Sequence, residues 1–306
     1  MKIHLLFIGM LGLATASFAQ HDTYYSHFPF NKLVYNPAYA GAKGILDAGM
    51  IYRHQWLTID GAPRTLNGFV HMPVAGRSGL GLSVTADKAG MISTQSVEGS
   101  YSYALPLDAS GRVLQLGLSA RLELGRIDWE KATPISINDS SIPDVGFSQS
   151  GANVGFGVYY KGQRFFAGAS LPRLLNPTAF LASPRRTVRY QQWLTGYLMA
   201  GGVFDLSEKI KLHPMALVSY HGAAPLDLEI NASLVFNDRF WLGAGYRLED
   251  ALLGLLQYQI NNQLRLGFAY DLTLSELRKT TSGSFEIMAG YTLECESCRI
   301  QHLRYF

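Results

Sequence analysis

Period-2 alternation of apolar and polar residues dominates the chain after residue 45, and no other feature constrains the fold as tightly. From Leu114 to Leu124 every even position is apolar and every odd position is polar or Gly. The stretches 226–234 and 264–272 repeat the pattern. A strand sends successive side chains to opposite faces, so each stretch has one apolar face and one wet face. About fourteen such segments can be marked: 46–54, 64–72, 79–87, 95–105, 113–126, 152–160, 164–172, 192–204, 209–220, 226–236, 239–248, 251–260, 263–272 and 284–293. The polarity contrast is poorest at 164–172, 192–204 and 251–260. Most segments are close to the roughly 9–11 residues a tilted strand needs to cross a bilayer, and bacterial outer-membrane barrels use an even number of them.

Composition points the same way. Charged residues are 16% of the chain, against roughly 25% in average soluble domains, while Gly (31), Tyr (17) and Phe (16) are conspicuous. No stretch after the first twenty residues is apolar for long enough to form a membrane-spanning helix. A soluble all-β protein is the alternative that composition alone leaves open. The net charge of +3 is weak, and no basic run carries interleaved aromatics, so nucleic acid is not an expected partner.

Residues 1–19 read as a secretory leader. Lys2 supplies the charge, Ile3 to Leu13 the apolar core, and Ser17 and Ala19 the small residues before a cut at Gln20. The expected organisation is a leader at 1–19, a periplasmic N-terminal segment at 20–45, an outer-membrane barrel at 46–294 and a periplasmic C-terminal tail at 295–306. The connections separate membrane barrel from soluble barrel. Counted from the N-terminus, the even ones are mostly tight, at Lys161–Arg164, Leu206–Glu208, Asn237-Asp238 and Asn261-Asn262. The odd ones include the long stretches 127–151, 173–191 and 273–283. Outer-membrane barrels have short periplasmic turns and longer outer loops; a soluble sandwich has no reason to sort its loops by parity. The fold class expected is therefore a transmembrane antiparallel β-barrel.

On this reading Leu116, Leu118, Ile230 and Leu266 face lipid, and Arg121, Glu123, Glu229, Arg265 and Asp271 face the lumen. Tyr101, Tyr103, Tyr246, Tyr270 and Tyr291 fall toward strand ends, where a barrel carries its aromatic girdle. Gly155, Gly157, Gly243 and Gly245 fall on the inward face, where they suit sheet curvature or the close approach of a plug.

The sequence holds no protease, hydrolase, P-loop or dinucleotide motif. His54, His71, His213 and His221 are scattered without ligand spacing, so no metal and no cofactor is expected. Glu123 and Glu229 are inward carboxylates, but lumen charges are ordinary in barrels, and no catalytic residue is assigned. The carboxylates Asp128, Glu130, Asp139 and Asp144 in one long loop do not follow EF-hand spacing. Cys295 and Cys298 follow the last strand with no second ligand pair and no βαβ setting. In an exported chain a local disulfide is their expected state.

At 24–41 the chain reads YYSHFPFNKLVYNPAYAG, followed by Tyr52, Arg53, His54, Gln55 and Trp56, then Gly61 to Thr65, and it ends on Arg304, Tyr305 and Phe306. These stretches resemble the PorP/SprF family, outer-membrane proteins of type IX secretion and gliding machinery in Bacteroidetes. His27 stands where the family pattern has Gln. The resemblance implies a non-enzymatic role in delivering adhesin-like cargo proteins to the cell surface. The partners it implies are the type IX translocon, a secreted cargo, periplasmic ring or peptidoglycan-linked components, and outer-membrane lipid. The family motif falls here on Asn36, Pro37, Tyr39, Gly41, Arg53, Trp56, Gly61, Pro63 and Arg64, which become the candidate partner-binding residues. Asn36, Pro37 and Gly41 also suit a turn that seals the barrel floor, and Arg53 and Arg64 can pair with lumen carboxylates. A transporter or porin for a small solute is the competing reading. A transporter needs an open or gated lumen; an accessory tolerates a blocked one.

Overall fold

The computed structural model describes residues 24–128, 147–175, 178–183, 186–191, 194–222 and 225–293. The leader, Cys295, Cys298, the C-terminal tail, and Glu130, Asp139 and Asp144 lie outside the described residues. The strands in chain order are β1 (Leu46–His54), β2 (Arg64–Pro73), β3 (Ser78–Ala89), β4 (Ile92–Pro106), β5 (Val113–Ile127), β6 (Phe147–Lys161) and β7 (Phe165–Arg173). They continue as β8 (Thr178–Ser183), β9 (Arg186–Gln191), β10 (Thr195–Gly202), β11 (Phe204–Asp205), β12 (Ile210–His221) and β13 (Asp227–Phe236). The last four are β14 (Phe240–Arg247), β15 (Ala251–Gln259), β16 (Leu264–Thr273) and β17 (Ser284–Leu293).

Fourteen of these strands form a closed antiparallel barrel. Each pairs with its neighbours in sequence order, β10 pairs with β7 and β12, and β1 closes the ring on β17. The β8–β9 hairpin is a separate two-stranded sheet between β7 and β10. Closure has a physical cause. In hydrocarbon every backbone N–H and C=O must find a partner within the protein, and an open edge would leave a row of them unpaired.

The alternation read from the sequence is the register of the wall. On β5, Leu116, Leu118, Leu122 and Leu124 are exposed outward, while Gln115 and Ser119 are buried inward. Ile230 and Leu266 also face out, and Glu229, Arg265 and Asp271 face in. Tyr101, Tyr103, Tyr246 and Tyr291 are exposed on the outer wall. Leu46 pairs with Leu293, so both chain ends of the barrel lie at one rim. The connections at that rim are short: 74–77, 107–112, 162–164, 203–209, 237–239 and 260–263. The long connections 55–63, 128–146, 174–194 and 274–283 all lie at the opposite rim. Short turns mark the periplasmic side and long loops the outer side. Parity is not a strict rule, because the outer connections 90–91 and 248–250 are also tight.

In strand extent the sequence reading differs from the structure in two respects. The strands β4 and β6 run to 15 residues each, against 95–105 and 152–160 in the sequence reading, and most of the extra length lies at the outer end. Within the stretch 173–191, read from sequence as a loop, the structure forms the β8–β9 hairpin.

Candidate functional site

The segment before β1 lies inside the barrel. Of residues 24–43 all are buried except Val34, which is half-buried. Irregular backbone at membrane depth is tolerated only where protein surrounds it and satisfies its polar groups. The wall does so here. Ser102 Oγ donates to the Ala40 carbonyl (2.6 Å), Ser170 Oγ to the Tyr35 carbonyl (2.6 Å) and Lys161 Nζ to the Ala42 carbonyl (2.7 Å). The segment also folds locally, in two short 3-10 turns at Lys32–Val34 and Pro37–Tyr39. Asn36 caps the second: its Oδ1 accepts from the Ala38 amide (2.9 Å) and its Nδ2 donates to the Val158 carbonyl (3.0 Å). Pro37 stands at the first position of that turn, where a missing N–H costs nothing.

Its aromatic side chains dock edge-on against inward aromatics of the wall. Phe30 meets Trp241 (5.0 Å between ring centres), Tyr35 meets Tyr197 (5.0 Å) and Tyr39 meets Tyr159 (5.3 Å). Such pairs are worth roughly 0.5–1.5 kcal/mol beyond the area they bury. The backbone comes this close because the wall lacks side chains beneath it. A Cβ on Gly117 would stand 2.1 Å from the Ala38 nitrogen, and one on Gly157 2.0 Å from Asn36 Oδ1.

Two buried charge clusters hold the ends of the segment. At the outer end, Arg53 pairs with Asp271 (2.7 Å) and Glu286 (2.7 Å). The amides of Ser26 and His27 donate to the two Glu286 oxygens (2.7 and 2.9 Å), and Ser26 Oγ donates to Asp271 (2.6 Å). Arg247 joins Glu229 (2.7 Å) to Asp271 (3.4 Å) and lies 4.8 Å from the Tyr24 ring centre. At the periplasmic end, Asp47 binds Lys43 and Arg265 (2.6 Å), with His71 Nε2 at 3.5 Å. The segment therefore runs down the lumen from the outer half to the periplasmic rim, where it becomes β1.

The candidate residues are sorted into four places. Asn36, Pro37, Tyr39 and Gly41 belong to the lumenal segment and are buried. Gly41 adopts a φ of +68°, and a Cβ there would meet Gly79 Cα at 2.8 Å, so only glycine fits. Arg53 lies in the outer charge cluster. Trp56, Gly61 and Pro63 build the first outer connection. The Trp56 amide donates to Ser284 Oγ (3.1 Å), the Gln55 amide to the Pro63 carbonyl (2.9 Å) and the Gly90 amide to the Gly61 carbonyl (2.7 Å). Arg64 faces outward, its Nε 3.4 Å from His54 Nε2, and pairs with no lumen carboxylate among the described residues. Glu123 and Glu229 do not meet either. Glu123 on β5 lies 3.3 Å from Arg121, and Glu229 on β13 is held by Arg247. Sequence reasoning missed Ser26, His27 and Glu286. The inward parity of β17 marks Glu286, whereas nothing local marks the other two as ligands of a wall carboxylate.

Solved structures share the architecture. A FadL homologue of Pseudomonas aeruginosa is 13% identical, with a TM-score of 0.51 over 87% of this chain and 93% of that one. The CymD monoaromatic hydrocarbon channel is 11% identical, with a TM-score of 0.51 over 87% and 93%. The P. putida toluene transporter TodX is 10% identical, with a TM-score of 0.50 over 91% and 96%. At these identities the likeness is one of fold. No curated protein matches the sequence. Residues 17–291 match the family described as type IX secretion system membrane protein PorP/SprF. A closed outer-membrane barrel and a match across most of its length lead to one assignment: the chain belongs to the PorP/SprF family of type IX secretion system membrane proteins.

Proposed function

We propose that this barrel is a non-enzymatic accessory of type IX secretion that holds or positions a secreted, adhesin-like cargo protein at the cell surface, and is not a conduit for a small solute. One observation carries the reading. The lumen is occupied by residues 24–43, which are hydrogen-bonded, ion-paired and ring-packed to the wall at both ends. A solute conduit would have to break these contacts on every passage, whereas a binding scaffold keeps them and gains rigidity. Recognition then belongs to the outer rim, where β4, β5 and β6 extend and the long connections gather, because irregular loops on a rigid scaffold commonly carry binding. Contacts with the translocon and with ring or peptidoglycan-linked components belong to the short periplasmic turns and the C-terminal tail. In this conformation the motif residues Asn36, Pro37 and Tyr39 are buried and reach a periplasmic partner only if the segment leaves the lumen.

The test compares a deletion strain with its parent in surface proteome and small-solute uptake. The expected result is loss of one or a few surface proteins with unchanged uptake. Normal display of every cargo together with lost uptake of one solute would replace this reading with the transporter.

A further inference from the structure

One sector of the outward wall changes character at its outer end. On β5 the outward side chains are Leu116, Leu118, Ala120, Leu122 and Leu124, and the next is Arg126. On β3 they are Leu80, Leu82, Val84 and Ala86, then Lys88. On β2, read upward, they are Met72, Val70, Gly68 and Leu66, then Arg64. Strand pairing sets these cations side by side: Arg64 is opposite Lys88, Lys88 opposite Ser93, and Ser93 opposite Arg126. All three are exposed, and none forms an ion pair with a described residue. On four other strands the outward residues near the outer end are uncharged: Tyr220 on β12, Tyr246 on β14, Leu252 on β15 and Leu272 on β16. The basic row is not repeated on those strands.

Below that row, on the same strands, the wall carries a groove of about 570 Å³. Its floor is Gly99, where a Cβ would meet nothing within 4 Å, beside Ala120. Leu80, Leu82, Tyr101 and Leu118 form its sides. Six residues separate Leu82 in the groove from Lys88 in the row, about 20 Å along a strand. With a barrel strand tilt of roughly 40° that is about 15 Å of depth, half of the roughly 30 Å hydrocarbon core.

We propose that this sector binds an outer-leaflet lipid with a phosphate-bearing headgroup. The headgroup sits on Arg64, Lys88 and Arg126, and one acyl chain runs down the wall into the groove at Gly99 and Ala120. Guanidinium forks match phosphate oxygens two at a time, and a cation at the edge of hydrocarbon attracts anionic headgroups strongly. Charge selects the headgroup and the notch selects the chain, so a free anion satisfies only half of the site.

The test uses the full-length barrel purified in mild non-ionic detergent and native mass spectrometry of the lipid it retains. The wild type is expected to keep phosphate-bearing lipid. The variant Arg64→Gln/Lys88→Gln/Arg126→Gln is expected to keep roughly tenfold less or lower still, and Gly99→Leu, which fills the notch, is expected to lose it as well. Both variants should remain heat-modifiable, since every change is on an exposed face. In wild-type nanodiscs of phosphatidylcholine, added phosphatidic acid should appear as a bound adduct, fall away at high salt, and resist displacement by inorganic phosphate. The salt titration needs no variant and decides the matter if the triple variant misassembles. Equal lipid retention by all three proteins, retention indifferent to headgroup charge, displacement by inorganic phosphate alone, or capture of a protein instead of a lipid by the same three residues would each overturn the proposal.

Discussion

Arg53 on the first strand and Glu286 on the last are register partners across the seam that closes the barrel, and their side chains meet at 2.7 Å inside it. The same carboxylate accepts the amides of Ser26 and His27. One residue therefore serves both closure of the wall and seating of the lumenal segment. Removing one partner of a buried pair leaves an uncompensated charge, at a cost of roughly 3–5 kcal/mol. Glu286→Gln and Arg53→Met should each lower the urea midpoint of the heat-modifiable form. The two changes share one network, so the double variant should lose less than the sum. Additive losses would show that the two residues act separately.

The wall was legible and its filling was not. Period-2 alternation is local, and lipid outside with polar groups inside makes it strong, so all fourteen barrel segments could be marked. It fails where both faces are wet. The outer ends of β4 and β6, around Ser93, Thr94, Ser148 and Ser150, carry little contrast, and sequence alternation leaves those strands short. The segment at 24–43 has no period, and its burial depends on wall residues more than 200 positions away, such as Asp271 and Glu286. Arg53 and Arg64 show a subtler loss. They flank one hairpin and were expected to pair alike with lumen carboxylates. Arg64 shares its face with Leu66, while Thr65 and Asn67 point inward. Parity along β2 places Arg64 outside.

Two glycines on opposite faces should respond differently to the same change. A Cβ on Gly157 would stand 2.0 Å from Asn36 Oδ1, whereas on Gly254 the nearest atom is 4.0 Å away. Gly157→Ala should displace Asn36, break its bonds to the Ala38 amide and the Val158 carbonyl, and loosen the segment. Gly254→Ala should do nothing measurable. Thiol labelling of Ala38→Cys, in a background lacking Cys295 and Cys298, reads the difference directly. Equal labelling in both variants would mean that the segment does not depend on the glycine beneath Asn36.

Lys32 gives the opposite expectation from Arg53. Its ammonium is buried, donates to the Pro29 carbonyl (3.0 Å), and lies over the rings of Tyr39 (5.2 Å) and Phe166 (4.7 Å), with no carboxylate within ion-pair distance among the described residues. Contacts of this kind return roughly 2 kcal/mol when desolvated, against several for dehydrating the ion. Lys32→Met keeps the length and drops the charge, so the barrel should be unchanged or more stable in urea. A loss comparable to that of Arg53→Met would show that the charge has a partner beyond those named.

Deleting residues 24–43 tests whether the segment seals the barrel. Much of the lumenal wall is polar: Asn67, Ser83, Ser102, Asn153 and Asn231 all face the lumen and are buried. Stripped of the segment, such a wall is wetted by water, and fourteen strands enclose more space than the eight that side chains alone fill. Full-length protein in planar bilayers should be nearly silent, while the deletion should show large, long-lived conductance. The deletion should also unfold at lower urea, because Asp271 and Glu286 lose the Ser26 and His27 donors and the inward rings of Tyr159, Tyr197 and Trp241 lose their ring contacts with the segment. These two readouts separate sealing from support. A silent deletion with lowered stability means the segment braces a barrel that is closed by other residues. A full-length protein that conducts as freely as the deletion means the segment leaves the lumen readily, and the argument for a scaffold over a transporter then loses its main support.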